Sequence, residues 1–155
     1  MTDIALVQTG TGFDIALDGN DLLVDHGLET AVFLSLFTDR RAEPDQMAPD
    51  FEDDPRGYWG DVAPDVPGDQ MGSHLWLLAR EKQTGAVLAR ARQYAQEALA
   101  WMLEDKVAER VETSTRYLSR GVMLIEIDIF RPGQREASRY RYEYEWAAQA
   151  AKRVA

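Results

Sequence analysis

An α+β fold is predicted for this chain, with two to three helices packed on a mainly antiparallel sheet, and three features of the sequence predict it. Apolar and polar residues alternate with a period of two in the last third, apolar residues in the middle recur at helical spacing, and a turn-forming cluster divides two short apolar runs near the start.

The first element is an N-terminal β-hairpin. Its strands are Phe13 to Leu17 and Leu22 to Val24, and its turn is Asp18-Gly19-Asn20-Asp21, a cluster suited to positive φ angles. Leu28, Val32 and Leu36 then recur every four residues beside Phe33 and Phe37, which predicts an amphipathic helix with Thr30 as N-cap and Arg40 and Arg41 near its C-terminal end. Ser73 is the expected N-cap of a short helix carrying Leu75 to Leu78. Thr84 is the expected cap of the longest helix, whose apolar stripe is Leu88, Ala91, Ala95, Ala98, Met102 and Leu103. Three strands follow. Val111, Thr113, Thr115 and Tyr117 alternate with polar residues, as do Ile125, Ile127 and Ile129 and then Tyr140, Tyr142, Tyr144 and Trp146. Together they read as a three-stranded antiparallel meander with a short alanine-rich tail from Ala147.

Between the first and second helices the composition changes. Five of the six prolines and a run of aspartates fall between residues 42 and 72, and no periodic pattern survives there. A connection of that length inside a compact domain is either a binding loop or a disordered one. Phe51, Tyr58 and Trp59 favour an ordered loop, because large aromatics must pack on the domain's own flank or on a partner.

The 155 residues fit one domain with enough apolar content, 45%, to bury a core. A formal charge of -10 argues against nucleic acid or an anionic membrane as the main partner, since both call for a basic footprint. Cysteine is absent, which removes disulfides and thiolate metal sites. The N-terminus lacks the basic and apolar regions of a signal peptide, and no apolar run approaches the ~20 residues of a membrane span. Synthesis and folding in a cytosol are expected.

Four blocks carry a family resemblance: Thr38-Asp39-Arg40-Arg41-Ala42, Arg56-Gly57-Tyr58-Trp59-Gly60-Asp61, the segment Ser73 to Lys82, and the helix from Tyr94 to Leu103. With these the chain resembles the Mu-like phage baseplate proteins, within the lysozyme-like wedge proteins of contractile tails. The resemblance implies a virion protein without enzymatic activity. Its partners would be other baseplate wedge proteins, with sheath or tube-proximal hub proteins nearby. The wider wedge family carries a Glu-Pro-Arg signature where this chain reads Trp101-Met102-Leu103-Glu104-Asp105-Lys106. No role tied to that triplet carries over.

No catalytic, cofactor or metal site is expected. His26 and His74 stand in different segments without paired ligand spacing, and there is neither a nucleophile elbow nor a phosphate loop. Glu104 paired with a distant acid such as Asp61 is the candidate for the competing reading, a peptidoglycan-cleaving enzyme. Adjacent Glu104 and Asp105 point about 100° apart and do not make a glycosidase pair by themselves. A soluble adaptor that binds a host protein is the third reading. The contact candidates for the baseplate reading are Arg40, Arg41, Arg56, Tyr58, Trp59 and Asp61. The arginines either form ordinary surface pairs with Asp39, Asp53 and Asp54 or hold carboxylates in bidentate fashion. Tyr58 and Trp59, flanked by glycines, suit an interface anchor, whereas Trp76 among leucines suits a core. The strand from Tyr140 to Trp146 would offer free backbone groups if it lay at a sheet edge.

Overall fold

The computed structural model describes residues 2–10, 12–47, 54–145 and 150–154. The architecture is α+β. Short ladders near the N-terminus and three helices lie with a C-terminal four-stranded antiparallel sheet.

The N-terminal part is richer than one hairpin. The strands β1 (Asp3–Ile4), β2 (Leu6–Thr9), β3 (Gly12–Ile15), β4 (Leu17–Asp18), β5 (Asp21–Leu22) and β6 (Val24–Asp25) form three two-stranded ladders, β1 with β6, β2 with β3 and β4 with β5. The predicted turn at Gly19-Asn20 lies between β4 and β5, where Leu17 faces Leu22. The β2–β3 hairpin was not expected, because Gly10 and Gly12 interrupt the alternation there.

Helix α1 (Glu29–Phe37) buries Val32 and Leu36, and Phe33 and Phe37 pack against the same core. Thr30 does not cap it. Its hydroxyl, inside the protein, donates to Ile4 O at 3.0 Å and accepts from Leu6 N at 3.2 Å, so it ties helix to ladder. The capping work falls to Asp25, whose carboxylate accepts from Gly27 N at 2.7 Å and Thr30 N at 2.9 Å. Aromatic rings continue the connection, from Phe13 to Phe33 at 4.0 Å and from Phe37 to Tyr142 at 5.1 Å.

Thr84 caps α2 (Gly85–Ala98) as predicted, accepting from Val87 N. The helix breaks at Leu99 and resumes as α3 (Ala100–Glu104). Ala91, Ala95, Ala98 and Met102 are buried and Leu88 is half-buried, but Leu103 is 45% exposed. One residue beyond Met102 is about 100° further round a helix, which carries Leu103 off the buried stripe. Val87 takes the inward place instead.

The sheet runs β7 (Arg110–Ser119), β8 (Val122–Phe130), β9 (Ser138–Glu145) and β10 (Ala150–Val154), each antiparallel to its neighbour, in the order β10-β9-β8-β7. Ile125, Ile127, Ile129, Tyr142 and Tyr144 form its buried face, as the alternation predicts. On the other face Arg139 pairs with Asp128 at 2.7 Å and Arg141 with Glu126 at 3.0 Å. The Arg139 guanidinium holds the Asp128 carboxyl below the usual carboxylate range. Helix α2 lies along β7, where Thr115 Oγ1 donates to Leu88 O at 2.8 Å and Tyr117 Oη to Thr84 O at 2.9 Å.

Two expectations are corrected here. The meander has four strands, because the alanine-rich tail forms β10 against β9. The tyrosine strand is therefore interior to the sheet, and its free-edge role falls away; Trp146 lies outside the described residues. The tail also returns to the start of the fold, with Arg153 N donating to Gln8 Oε1 at 3.2 Å and the Arg153 guanidinium pairing with Glu29.

Burial raises the Tyr142 phenol well above its ordinary value and pushes Tyr144 up to about 12. Both are held neutral. Their contribution to stability is complete below the ordinary phenol value of about 10 and is lost as pH rises through the folded-state values. The Tyr142 hydroxyl is enclosed without a hydrogen-bond partner among the described residues. Tyr142→Phe is therefore expected to leave the melting temperature at pH 7 unchanged or raised, and to shrink the stability lost between about pH 10 and 12. A fall of more than about 1 kcal/mol at pH 7 in denaturant titration would show that the hydroxyl is bonded after all.

Candidate functional site

The stretch between α1 and the 3₁₀ turn Leu75–Leu78 leaves the fold and returns to the same place. Its two feet form a parallel bridge between Asp39 and Ser73, in which Ser73 N donates to Thr38 O at 2.9 Å and Arg40 N to Ser73 O at 3.0 Å. Only glycine fits the residue before that bridge. Gly72 has φ +96°, and a Cβ on it would lie 2.2 Å from Thr38 O. Ser73, expected as the N-cap, stands one residue before the cap position, which His74 holds; its hydroxyl accepts from Leu75 N at 3.2 Å and donates to Leu36 O, so it ties the start of the turn to α1.

Above the bridge Trp76, only 2% exposed, organises the descending arm. Its indole N–H donates to Arg40 O at 2.8 Å, and His74 Nε2 donates to Arg41 O at 3.0 Å. The backbone of Arg40 and Arg41 is thereby fixed by two rings from the other arm. Trp76, Leu77 and Ala42 form a small core of their own, with Met47 packed against it. Arg56 closes it from outside. Its guanidinium sits 4.6 Å from the Trp76 ring centroid and pairs with Asp39 at 2.8 Å. Its backbone is in the left-handed region, φ 53°, with Arg56 N donating to Asp54 Oδ1 at 3.0 Å. Ala42 N donates to Pro55 O at 2.9 Å and adds a rung. Charge, stacking and backbone bonds hold the loop's lower part in one arrangement.

At the tip the chain makes a 3₁₀ turn, Trp59–Val62. Asp61 Oδ1 accepts from Met71 N at 3.1 Å and pins this turn to the returning arm. Trp59 faces outward at 81% exposure, touching Tyr58 with ring centroids 5.3 Å apart. Val62 and Val66 are 89% and 63% exposed. Three large apolar side chains thus stand on a short, tethered surface. Two grooves flank it. One, of about 460 Å³, lies between the loop and the sheet and is lined by Phe37, Asp39, Trp59, Trp76 and Tyr144 among others. The second, of about 510 Å³, lies toward α1 and α3 and includes Asp3, Asp61, Asp65, Asp69, Trp101 and Asp105 in its wall. The Trp101 indole N–H there donates to Ser35 Oγ at 3.1 Å.

The six residues singled out from sequence divide into two groups. Arg40, half-buried, donates from its guanidinium to Gln70 O at 2.7 Å, and it, Arg56 and Asp61 hold the loop together. Trp59 and Arg41 face solvent, and half-buried Tyr58 lies beneath Trp59. Asp53 and Phe51 lie outside the described residues. Glu104 is exposed at the end of α3 and does not line the groove that contains Asp61. Sequence reasoning passed over Val62 and Val66, single valines in a stretch without periodicity. Their only signal was apolar character among Pro, Gly and Asp. Among the described residues no group of three His, Asp or Glu side chains is placed to hold a metal ion.

Comparison with known proteins covers the loop and most of the fold. Residues 28–136 match the family described as "Phage protein GP46". The "Baseplate protein gp46" of Escherichia phage Mu is 43% identical over 147 residues, covering 95% of this chain and 97% of that protein. The "Mu-like prophage FluMu protein gp46" of Haemophilus influenzae is 37% identical over 142 residues, covering 91% of this chain and 96% of that protein.

Proposed function

The chain belongs to the phage protein GP46 family, which takes in the Mu baseplate protein, and from that membership we propose that it is a structural component of a phage tail baseplate. Its place is the virion, and its partners are other baseplate components. As a finer reading, it is a non-enzymatic wedge subunit that acts as one domain. It docks other wedge proteins through the tip of the 42–72 loop and lies near the hub and the start of the sheath. The resemblance supports the wedge position, and the exposed indole of Trp59 supports the docking role.

The single observation that carries the docking role is the contrast between Trp59 and its setting. An indole 81% exposed is costly in water, yet the loop beneath it is held by a backbone bridge, a buried tryptophan and an arginine stack. A rigid loop that presents a large aromatic loses little entropy when a partner covers it. Neither the peptidoglycan-cleaving nor the adaptor reading gains a comparable observation.

Trp59→Ala is accordingly expected to leave the isolated chain folded, with stability within about 0.5 kcal/mol of wild type, while weakening baseplate association by about 2 kcal/mol or more. Co-expression with the other baseplate proteins, followed by size-exclusion chromatography and mass determination, checks the second part. Co-elution of the variant at wild-type stoichiometry and affinity would remove Trp59 from the interface. A large loss of stability in the isolated variant would make it a packing residue.

A further inference from the structure

The groove beside the loop tip has an unbalanced wall. Asp3, Asp61, Asp65, Asp69 and Asp105 all line it, and no Lys, Arg or His is among its described lining residues. Carboxylates gathered around one space repel each other, and the repulsion is relieved when a cation enters. Asp61 adds a second, separate observation. Its Oδ1 is occupied by Met71 N, but its Oδ2 is enclosed and has no hydrogen-bond partner among the described residues. A buried carboxylate oxygen without a donor is expensive, and a cation brought into the adjoining groove offsets part of that cost through its charge. Beside the groove, the same loop presents Trp59, Val62 and Val66 to solvent. Acidic hollow and apolar tip form one composite surface.

We propose that this surface binds an apolar segment of another baseplate protein, and that an arginine or lysine on that segment enters the groove among Asp61, Asp65, Asp69 and Asp105. The inference rests on the baseplate reading and adds to it the chemistry of the contact. The apolar side chains of the segment cover Trp59, Val62 and Val66, while the cation meets the carboxylates that line the groove. Charge complementarity selects the partner: a neutral or acidic segment would bury the carboxylates unpaired, whereas a basic one neutralises them. The net charge of -10 works in the same direction, steering a basic surface toward the loop.

The test uses the full chain in assembled tails. Val62, 89% exposed, is replaced by the photo-cross-linking residue benzoylphenylalanine, and purified tails are irradiated, digested and read by mass spectrometry. The expected product joins position 62 to a peptide of a different tail protein that carries Arg or Lys within or next to the linked stretch. In the same background, Asp65→Asn with Asp69→Asn, at two exposed positions, is expected to lower the linked fraction or the amount of folded chain incorporated by about tenfold. Circular dichroism of the isolated variant confirms that it is folded. A cross-link to a second copy of this chain or to a segment without a basic residue overturns the proposal. So does the absence of any link in tails that contain the chain, or a yield indifferent to the double substitution. Absence of the chain from purified tails is a different failure, because it removes the baseplate reading itself.

Discussion

Trp76→Ala is expected to destabilise the protein by about 3–5 kcal/mol, enough to lower the melting temperature by roughly 10 °C in a chain of this size. Trp76 is the centre of the loop's small core, touching Ala42 and Leu77 and covered by the Arg56 guanidinium. Alanine leaves a cavity there, strips Arg40 O of its donor and removes the surface on which Arg56 lies. The salt bridge from Arg56 to Asp39 then stands on its own, and a partly exposed pair contributes little by itself. Trp76→Phe separates these effects. It keeps most of the buried ring and loses only the N–H, so a cost of about 1–2 kcal/mol is expected. Denaturant titration of both variants decides the matter: an alanine cost no larger than the phenylalanine cost would mean that the loop is not packed through this residue.

Gly72→Ala is expected to cost about 3 kcal/mol or more and to release the loop from its base. The residue combines a positive φ with direct contact against backbone, since a Cβ would meet Thr38 O at 2.2 Å and Thr38 C at 2.7 Å. Neither atom can move without opening the bridge that Ser73 N makes to Thr38 O. Gly68 is the matched control. It also has a positive φ, +82°, but open space where its Cβ would stand, so Gly68→Ala carries only the conformational cost of about 1 kcal/mol. Equal losses for the two variants in thermal unfolding would show that the close approach at Gly72 is not real. Hydrogen exchange adds a second reading, because the Ser73 and Arg40 amides should lose protection only in the Gly72 variant.

The two substitutions also show why part of this protein was legible in its sequence and part was not. Periodicity reported what faces a core. Val32 and Leu36 of α1, the isoleucines of β8 and the tyrosines of β9 all point inward as their spacing predicts, and Thr84 caps α2. Strand β10 escaped notice because Ala150-Ala151-Lys152-Arg153-Val154 has little preference for extended structure, and pairing with β9 imposes it. Thr30 misled for a related reason. Its hydroxyl fits a cap, but Asp25 performs that task and frees Thr30 to bond Ile4. The candidate site was visible as composition and invisible as geometry. Its contacts run largely through backbone carbonyls of Arg40, Arg41 and Pro55, and a carbonyl looks the same under any side chain. The sequence pointed to Trp59 as an anchor and to Asp61 as a contact, but not to the gathering of Asp61 with Asp3, Asp65, Asp69 and Asp105, which come from three separate parts of the fold.

The return of β10 to the N-terminal ladder sets a constraint on how the molecule is completed. Arg153 bonds Gln8 across a separation of 145 residues and pairs with Glu29, while the sheet's other strands are each neighbours in sequence. Strands β7 to β9 can pair as they are made, but one side of β9 and the Gln8 side chain gain these partners only once residues 150–154 have been added. Strand β10 thus acts as the closure of the fold. A chain that lacks β10 exposes the backbone groups along one side of the tyrosine-rich strand β9, which β10 otherwise pairs.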